Sequence, residues 1–234
     1  MWLNEAKVLV TGGSSGIGYG VAQLLVERGA QVAICGRDEA RLREAAAAIG
    51  ATPIRGDVSV EADAVRMVRE VIAAFGDFNV LVNNAGIGAF APLVDVTAEQ
   101  MRRVWEVNVL GATLMARESA RHFVAQGTGN IINVASTAGL RAGAGGSAYA
   151  STKFALRGLS ESWRAELRQH NVRVMLINPS EVVTEFFTRA GREQAENPTK
   201  LHPIEIAHAV VAMLTMKDVG FIPELSVWAT NPRD

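Results

Sequence analysis

The sequence predicts a doubly wound α/β fold: a three-layer α/β/α sandwich on a mostly or fully parallel seven-stranded sheet. Three observations carry that reading. Short apolar runs alternate along the chain with longer amphipathic stretches, the pattern of strands each followed by a covering helix. Runs such as VLV and VMLI are continuously apolar, as strands buried on both faces require. The first run opens directly into TGGSSGIG, residues 11–18. A doubly wound sheet passes there from its first strand to its first helix.

The elements follow in order. KVLVTG reads as a buried strand and 17–28 as a helix ending at Gly29. QVAICG is the second strand, and 38–49 the next helix, with Asp38 as its N-cap. TPIR is a strand, 61–75 a helix and NVLVNN a strand. The stretch 98–126 reads as one long helix. NIINVAS is a strand, 148–169 a helix and VRVMLINP a strand. A helix over 203–216 and a strand over GFIPELSV complete the chain. No linker, composition shift or repeat divides residues 1–234, so a single domain is expected.

Composition bounds the function. The 234 residues are 49% hydrophobic and 20% charged, enough to bury a sizeable core. The net charge is −1 and the pI about 6.4. Such a chain lacks the basic field that nucleic acid or an anionic membrane would attract. Cys35 is the single cysteine, so no intrachain disulfide forms and a reducing compartment is expected. The N-terminus does not read as a signal peptide, and no apolar run reaches the ~18 residues of a membrane span. These features predict a soluble cytoplasmic protein. The four histidines are scattered without metal-ligand spacing, and no metal site is expected.

Glycines 12, 16 and 18 form a Gly-x-x-x-Gly-x-Gly loop that also holds Ser14, Ser15 and Ile17. Such a loop lets the backbone approach a pyrophosphate, while the following helix offers free N–H groups and a positive dipole end. An ordinary strand–helix turn can share the pattern. Its place after the first strand of an α/β sheet points to a dinucleotide site.

Further along, Tyr149 and Lys153 in YASTK lie one helical turn apart and share a face. Ser136 ends the fifth strand, 13 residues before Tyr149. With the glycine loop, Asp57 after the third strand, Asn83-Asn84-Ala85-Gly86 after the fourth and Asn108, these residues resemble the short-chain dehydrogenase/reductase family. The order and approximate spacing match over most of the chain.

The resemblance implies a Rossmann-type fold and a nicotinamide cofactor. It makes Tyr149 the general acid/base and Lys153 the group that lowers its pKa and bonds the nicotinamide ribose. Ser136 would hold the substrate oxygen, and Asn108 would anchor a proton-relay water. Taken alone, Asn108 also fits a helix kink or a backbone-bonding residue. Asp57 with Val58 would contact adenine, although Asp57 also fits a turn cap. Asn84, Ala85 and Gly86 would border the adenine ribose; Asn83 and Gly86 fit a structural role equally. Pro179, Val182 and Thr184 match the family segment that faces the nicotinamide carboxamide. Ser180 departs from the glycine usual there, and Ser restricts the backbone more.

The choice of nicotinamide rests on C-G-R-D, residues 35–38. An NAD enzyme commonly places an acid at the end of strand two. Here Gly36 occupies that position and Arg37 follows, able to grip a 2′-phosphate with its fork of donors. NADP(H) is therefore the expected cofactor, with NAD(H) as the alternative. Asp38 beside Arg37, and Ser15 where many NADP-preferring relatives carry a base, point the other way.

At the substrate end, 185–202 reads as a short lid. Arg141 reads as a solvated loop residue, and Trp105, Phe186 and Phe187 as core or interface. The family's helical interfaces imply a homo-tetramer or homo-dimer. The expected function is reduction of a ketone or aldehyde, or oxidation of the secondary alcohol. A 3-oxoacyl-carrier-protein reductase and a nucleotide-sensing regulator are the alternatives, and an isomerase or dehydratase using bound nucleotide is more distant.

Overall fold

The computed structural model describes residues 1–191 and 199–231. Its sheet has seven strands in the order β3-β2-β1-β4-β5-β6-β7, every neighbouring pair parallel. They are β1 (Lys7–Thr11), β2 (Gln31–Gly36), β3 (Thr52–Arg55), β4 (Val80–Asn83), β5 (Gly129–Val134), β6 (Val172–Pro179) and β7 (Glu224–Val227). The helices are α1 (Gly16–Glu27), α2 (Glu39–Ile49), α3 (Glu61–Phe75), α4 (Ala98–Trp105), α5 (Ala112–Gln126), α6 (Ser147–Leu167), α7 (Phe186–Arg189) and α8 (Pro203–Thr215). Of the expected lid over 185–202, residues 192–198 lie outside the described residues.

The continuous apolar strands are explained by two cores. Successive side chains of a strand point to opposite faces. Val8 and Val10 therefore pack with α1, α2 and α8, while Leu9 between them packs with α3 and α5. Val80 and Val82 against Leu81 repeat the division, as do Ile132 and Val134 against Ile131. Both faces are dry, so no strand position can afford a polar side chain without a partner.

Two expected elements differ. The stretch 98–126 is not one helix: α4 and α5 are joined by a π-helical turn, Glu106–Gly111. No Pro marks the break. Its cause lies outside the helix: Asn108 is buried and bonds the backbone of Ile87 and the Thr152 hydroxyl. The last strand is shorter than GFIPELSV and begins after Pro223, which has no N–H to give a ladder.

Three buried polar side chains between the strands and helices are joined. The Asn83 amide donates to the Ala112 carbonyl (2.8 Å) and to Asn133 Oδ1 (3.2 Å). Asn133 donates to Ser160 Oγ (2.8 Å), which donates to the Leu156 carbonyl. This chain fixes α5 and α6 against the middle of the sheet and so sets where α6 presents its first turns. Asn133→Ala removes one hydrogen bond each from Asn83 and Ser160 in a dry site. It should lower stability by about 1–3 kcal/mol, read as a fall in the urea unfolding midpoint at unchanged slope. An unchanged midpoint would show the chain to be idle.

Candidate active site

The strand order reverses between β1 and β4, and the carboxyl ends of these strands part to open a crevice. Thr11 closes its floor. Its hydroxyl oxygen accepts from the N–H groups of Asn84 and Ala85 (both 2.9 Å), and the Asn84 amide donates to the carbonyls of Thr11 and Gly12. The loop can fold this tightly because residue 18 is glycine: a Cβ there would sit 2.5 Å from the Gly12 carbonyl oxygen and from Asn84 Nδ2. Gly16 takes φ +54 as α1 begins. The Ser15 side chain does not cap α1, so the first N–H groups of the helix are left to an anion.

From this floor runs a cleft of about 1090 Å³. It brings together Gly12, Ser14, Ser15, Gly16, Ile17, Arg37, Val58, Asn84, Ala85 and Gly86 with Ser136, Tyr149, Lys153, Pro179, Val182 and Thr184. Three expected site residues stand behind its wall. Gly18 lies under the loop. Asn108 backs the wall: its Oδ1 accepts from the Ile87 N–H (2.8 Å), and its amide donates to the Ile87 carbonyl and to Thr152 Oγ1. Asp57 caps a turn, accepting from the Ser59 N–H (3.0 Å) and hydroxyl (2.6 Å). Burial pulls the Asp57 carboxyl up, but the Ser59 donors and the Arg37 and Arg103 guanidiniums together hold it below the usual carboxylate range.

At the far end of the cleft, Lys153 is buried, its ammonium 5.6 Å from the centre of the Tyr149 ring and donating to the Val134 carbonyl (3.0 Å). Burial pushes the Tyr149 phenol up to about 12, against the hydrogen bond it receives from Ser136. Burial pulls Lys153 down to about 8. The sequence reading has Lys153 lowering the phenol's pKa. In the cleft itself desolvation is the larger effect and both groups move towards their neutral forms. Tyr149 keeps part of its surface on the cleft. Cys35 plays no part: it is buried, and burial pushes its thiol up to about 12.

At the nucleotide end β2 closes on Gly36 and not on an acid. Asp38, which also lines this end, accepts from the Arg41 N–H (3.1 Å) as the cap of its helix. Arg37 is largely exposed, 3.8 Å from Asp57. Arg41 also lines this end and was not singled out in the sequence. It donates to Glu185 (2.7 Å) and reaches the Ser14 carbonyl (3.5 Å). Its spacing of four from Arg37, across the start of α2, was the available signal.

Phe90, Phe186 and Phe187 line the substrate end. The reading of Phe186 and Phe187 as core or interface is corrected, because the short helix α7 sets both on the cleft, Phe186 against Tyr149 and Phe187 against Phe90. Nothing in the local pattern marks Phe90. Arg141 is exposed and lies outside the cleft, as does Trp105, which donates to Ser151. Among the described residues no three His, Cys, Asp or Glu side chains group as a metal site would need, and no helix is long and apolar enough to cross a membrane.

Comparison with known proteins decides the family. A short chain dehydrogenase model matches residues 6–195. The chain belongs to the short-chain dehydrogenase family. Members of this oxidoreductase family act on CH–OH donors with NAD(P). The oxidoreductase YxnA of Bacillus subtilis strain 168 is 34% identical over 222 residues, 89% of this chain; the chain spans 62% of that relative's length. The 3-ketoacyl-(acyl-carrier-protein) reductase of Brucella melitensis, complexed with NADH, superposes with a TM-score of 0.88. It is 30% identical over 95% of this chain and 96% of its own. A closed serine dehydrogenase with NADP+ gives 0.89, at 30% identity over 94% and 93%.

The buried ammonium of this short-chain dehydrogenase makes a stability prediction. A pKa lowered in the folded state means that the unfolded chain binds more protons between pH ~8 and ~10.5, so stability rises with pH in that window. Lys153 contributes a destabilisation that is complete below pH ~8 and relieved above it. Relative to Lys153→Met, the wild type should gain stability between pH 7.5 and 9.5 in parallel urea titrations. A gap that does not move with pH would show that the ammonium is not desolvated.

Proposed function

We propose that this short-chain dehydrogenase reduces a ketone or aldehyde, or oxidises the matching secondary alcohol, with Tyr149 as general acid/base and NADP(H) as preferred cofactor, NAD(H) serving as the alternative. The observation that carries the reading is the Ser136–Tyr149–Lys153 group, a neutral phenol on the wall of a cleft whose other end is shaped for a dinucleotide. The bound nicotinamide supplies or accepts the hydride.

The side chains handle the proton. In the reducing direction Tyr149, held as a phenol by burial, gives its proton to the carbonyl oxygen. The Ser136 hydroxyl, already bonded to that phenol, turns to the same oxygen and steadies the charge that develops there. The phenolate left on Tyr149 is stabilised by the Lys153 ammonium 5.6 Å from its ring centre, which is where lysine acts on the phenol's acidity. Asn108, beside Gly86 and Lys153, is assigned the anchoring of a water that reprotonates the pair. Lys153 also takes the nicotinamide ribose, Thr184 and Val182 the carboxamide side, Asn84 to Gly86 the adenine ribose, and Val58, with Asp57 behind it, the adenine.

Preference for NADP(H) is supported by Gly36 in the acid's place, by Asp38 being spent on its helix, and by Arg37 and Arg41 lining one end of the cleft. Exposed Trp105, Leu110 and Phe154 on the α4–α6 side support a homo-tetramer or homo-dimer. The chain is assigned to the cytoplasm, where buried Cys35 stays a thiol. A 3-oxoacyl-carrier-protein reductase is the second reading, favoured by the likeness to the Brucella structure. A nucleotide sensor would have no use for a desolvated tyrosine–lysine pair.

NADPH and NADH oxidation by the purified protein against 3-oxoacyl thioesters, diketones, aldehydes, quinones and cyclic ketones tests the reading. Tyr149→Phe should lower kcat by about 10²–10⁴-fold with NADPH affinity held within about twofold. Substantial residual turnover would remove Tyr149 from the chemistry. Arg37→Ala should weaken NADPH binding about tenfold or more, the loss of a charge-assisted bond, and leave NADH binding nearly unchanged. Equal losses would sink the preference for NADP(H).

A further inference from the structure

Three phenylalanines that the proton chemistry does not use crowd around its tyrosine. The Phe90 ring, from the loop after β4, has its centre 5.6 Å from that of Tyr149 and tilted by 50°. Phe186, from α7, is 5.3 Å from Tyr149 and tilted by 55°. Phe187 is 5.8 Å from Phe90 and 5.5 Å from Phe186. These separations lie within the 4.5–7 Å range in which aromatic rings attract through edge and face.

The backbone makes room for this arrangement. A Cβ on Gly88 would stand 2.9 Å from Phe90 Cε2 and 3.0 Å from Phe186 Cζ, so glycine lets both rings close down beside Tyr149. Ala138, Gly143, Ala144 and Gly146 line the cleft as well, so flat faces and small residues together shape a slot.

The charged groups on this side are engaged with one another. Glu185 takes both Arg41 and Arg189, Glu181 takes Lys200, and Lys153 is held by the Val134 carbonyl. A substrate carboxylate would trade its hydration for the negative π faces of three rings. A flat apolar ring would trade water for ring contacts and lose nothing.

We propose that Phe90, Phe186 and Phe187, together with the Tyr149 ring, form a subsite for an uncharged ring ketone, aryl or cyclic, in preference to a small acyclic or carboxylated one. The inference rests on the reductase reading for its chemistry but not for its binding. The ring lies in the slot with its carbonyl oxygen at Tyr149 and Ser136. Hydride from the reduced nicotinamide adds to the carbonyl carbon and the Tyr149 proton to the oxygen. The products are the secondary alcohol and oxidised nicotinamide, and a proton from water restores the phenol.

The test compares kcat/KM for α-tetralone, its ring-carboxylated counterpart and diacetyl, by NADPH oxidation in wild type, Phe90→Ala and Phe186→Ala. In the wild type α-tetralone should lead both others by about tenfold or more, the scale on which an apolar pocket discriminates. In either variant the α-tetralone/diacetyl ratio should fall about tenfold, with NADPH affinity, followed by its fluorescence, confirming a folded nucleotide end. A wild-type preference for diacetyl or the carboxylated ketone, or a ratio that ignores both substitutions, overturns the subsite and leaves the reductase standing. Binding of α-tetralone to the NADPH complex, read by quenching, separates the two claims. Phe186-dependent binding without turnover in either direction would sink the reductase reading and keep the subsite. Absence of binding would sink the subsite.

Discussion

The constraint on which the rest of the structure depends is the parting of β1 and β4. Parallel strands carry their helices away in opposite directions here, and their carboxyl ends would be left with bare peptide groups in a crevice. Thr11 resolves the problem with one buried hydroxyl oxygen that accepts two N–H groups, from Asn84 and Ala85, while Asn84 returns its amide to Thr11 and Gly12. The bonds between residues more than 70 positions apart bring the glycine loop and the Asn84–Gly86 segment into one floor. A nucleotide-binding end and a reacting end can then face each other across a cleft, with Asn108 bracing the wall beside the reacting end.

The reacting end uses desolvation as much as charge. A lysine ammonium buried next to a tyrosine is often described by its pull on the phenol alone. Here the same burial acts on both: Tyr149 is pushed up to about 12 and Lys153 pulled down to about 8. In the proposed proton transfer, burial keeps Tyr149 in its phenol form beforehand, and the phenolate left afterwards would lie near the Lys153 ammonium, where low dielectric strengthens their attraction. The aromatic wall of Phe90 and Phe186 belongs to this argument, since those rings pack against the ring of Tyr149.

Much of this was legible in the sequence, for identifiable reasons. Strand and helix alternation is written in hydrophobic period, and 61–75 and VRVMLINP were bounded as they are found. The glycine loop and the Tyr149/Lys153 pair were legible because each depends on spacing within a single turn. Features set by contacts between distant segments were not. The π-helical turn at Asn108 is fixed by Ile87 and Thr152, neither of which is near it in sequence. Phe186 and Phe187 look like core residues until the orientation of α7 is known, and Phe90 carries no local mark at all. Arg41 was half legible: its spacing from Arg37 was visible, its partner Glu185 was not.

That partner raises the question of what holds α7 over the cleft. The Arg41–Glu185 pair joins α2 at the nucleotide end to the turn that starts α7, and Glu185 also takes Arg189. Its side chains are 36% and 60% exposed, so the pair contributes at most about 1 kcal/mol and less in salt. The aromatic contacts are of another kind: each ring pair is worth about 0.5–1.5 kcal/mol beyond the area it buries, and Phe186 and Phe187 together enter three of them. The position of α7 is therefore governed by what lies against its rings, with the ion pair as a guide to direction. The rings of the proposed substrate subsite are thus also the ones that hold α7 against Tyr149 and Phe90, so the subsite and the position of α7 rest on the same contacts.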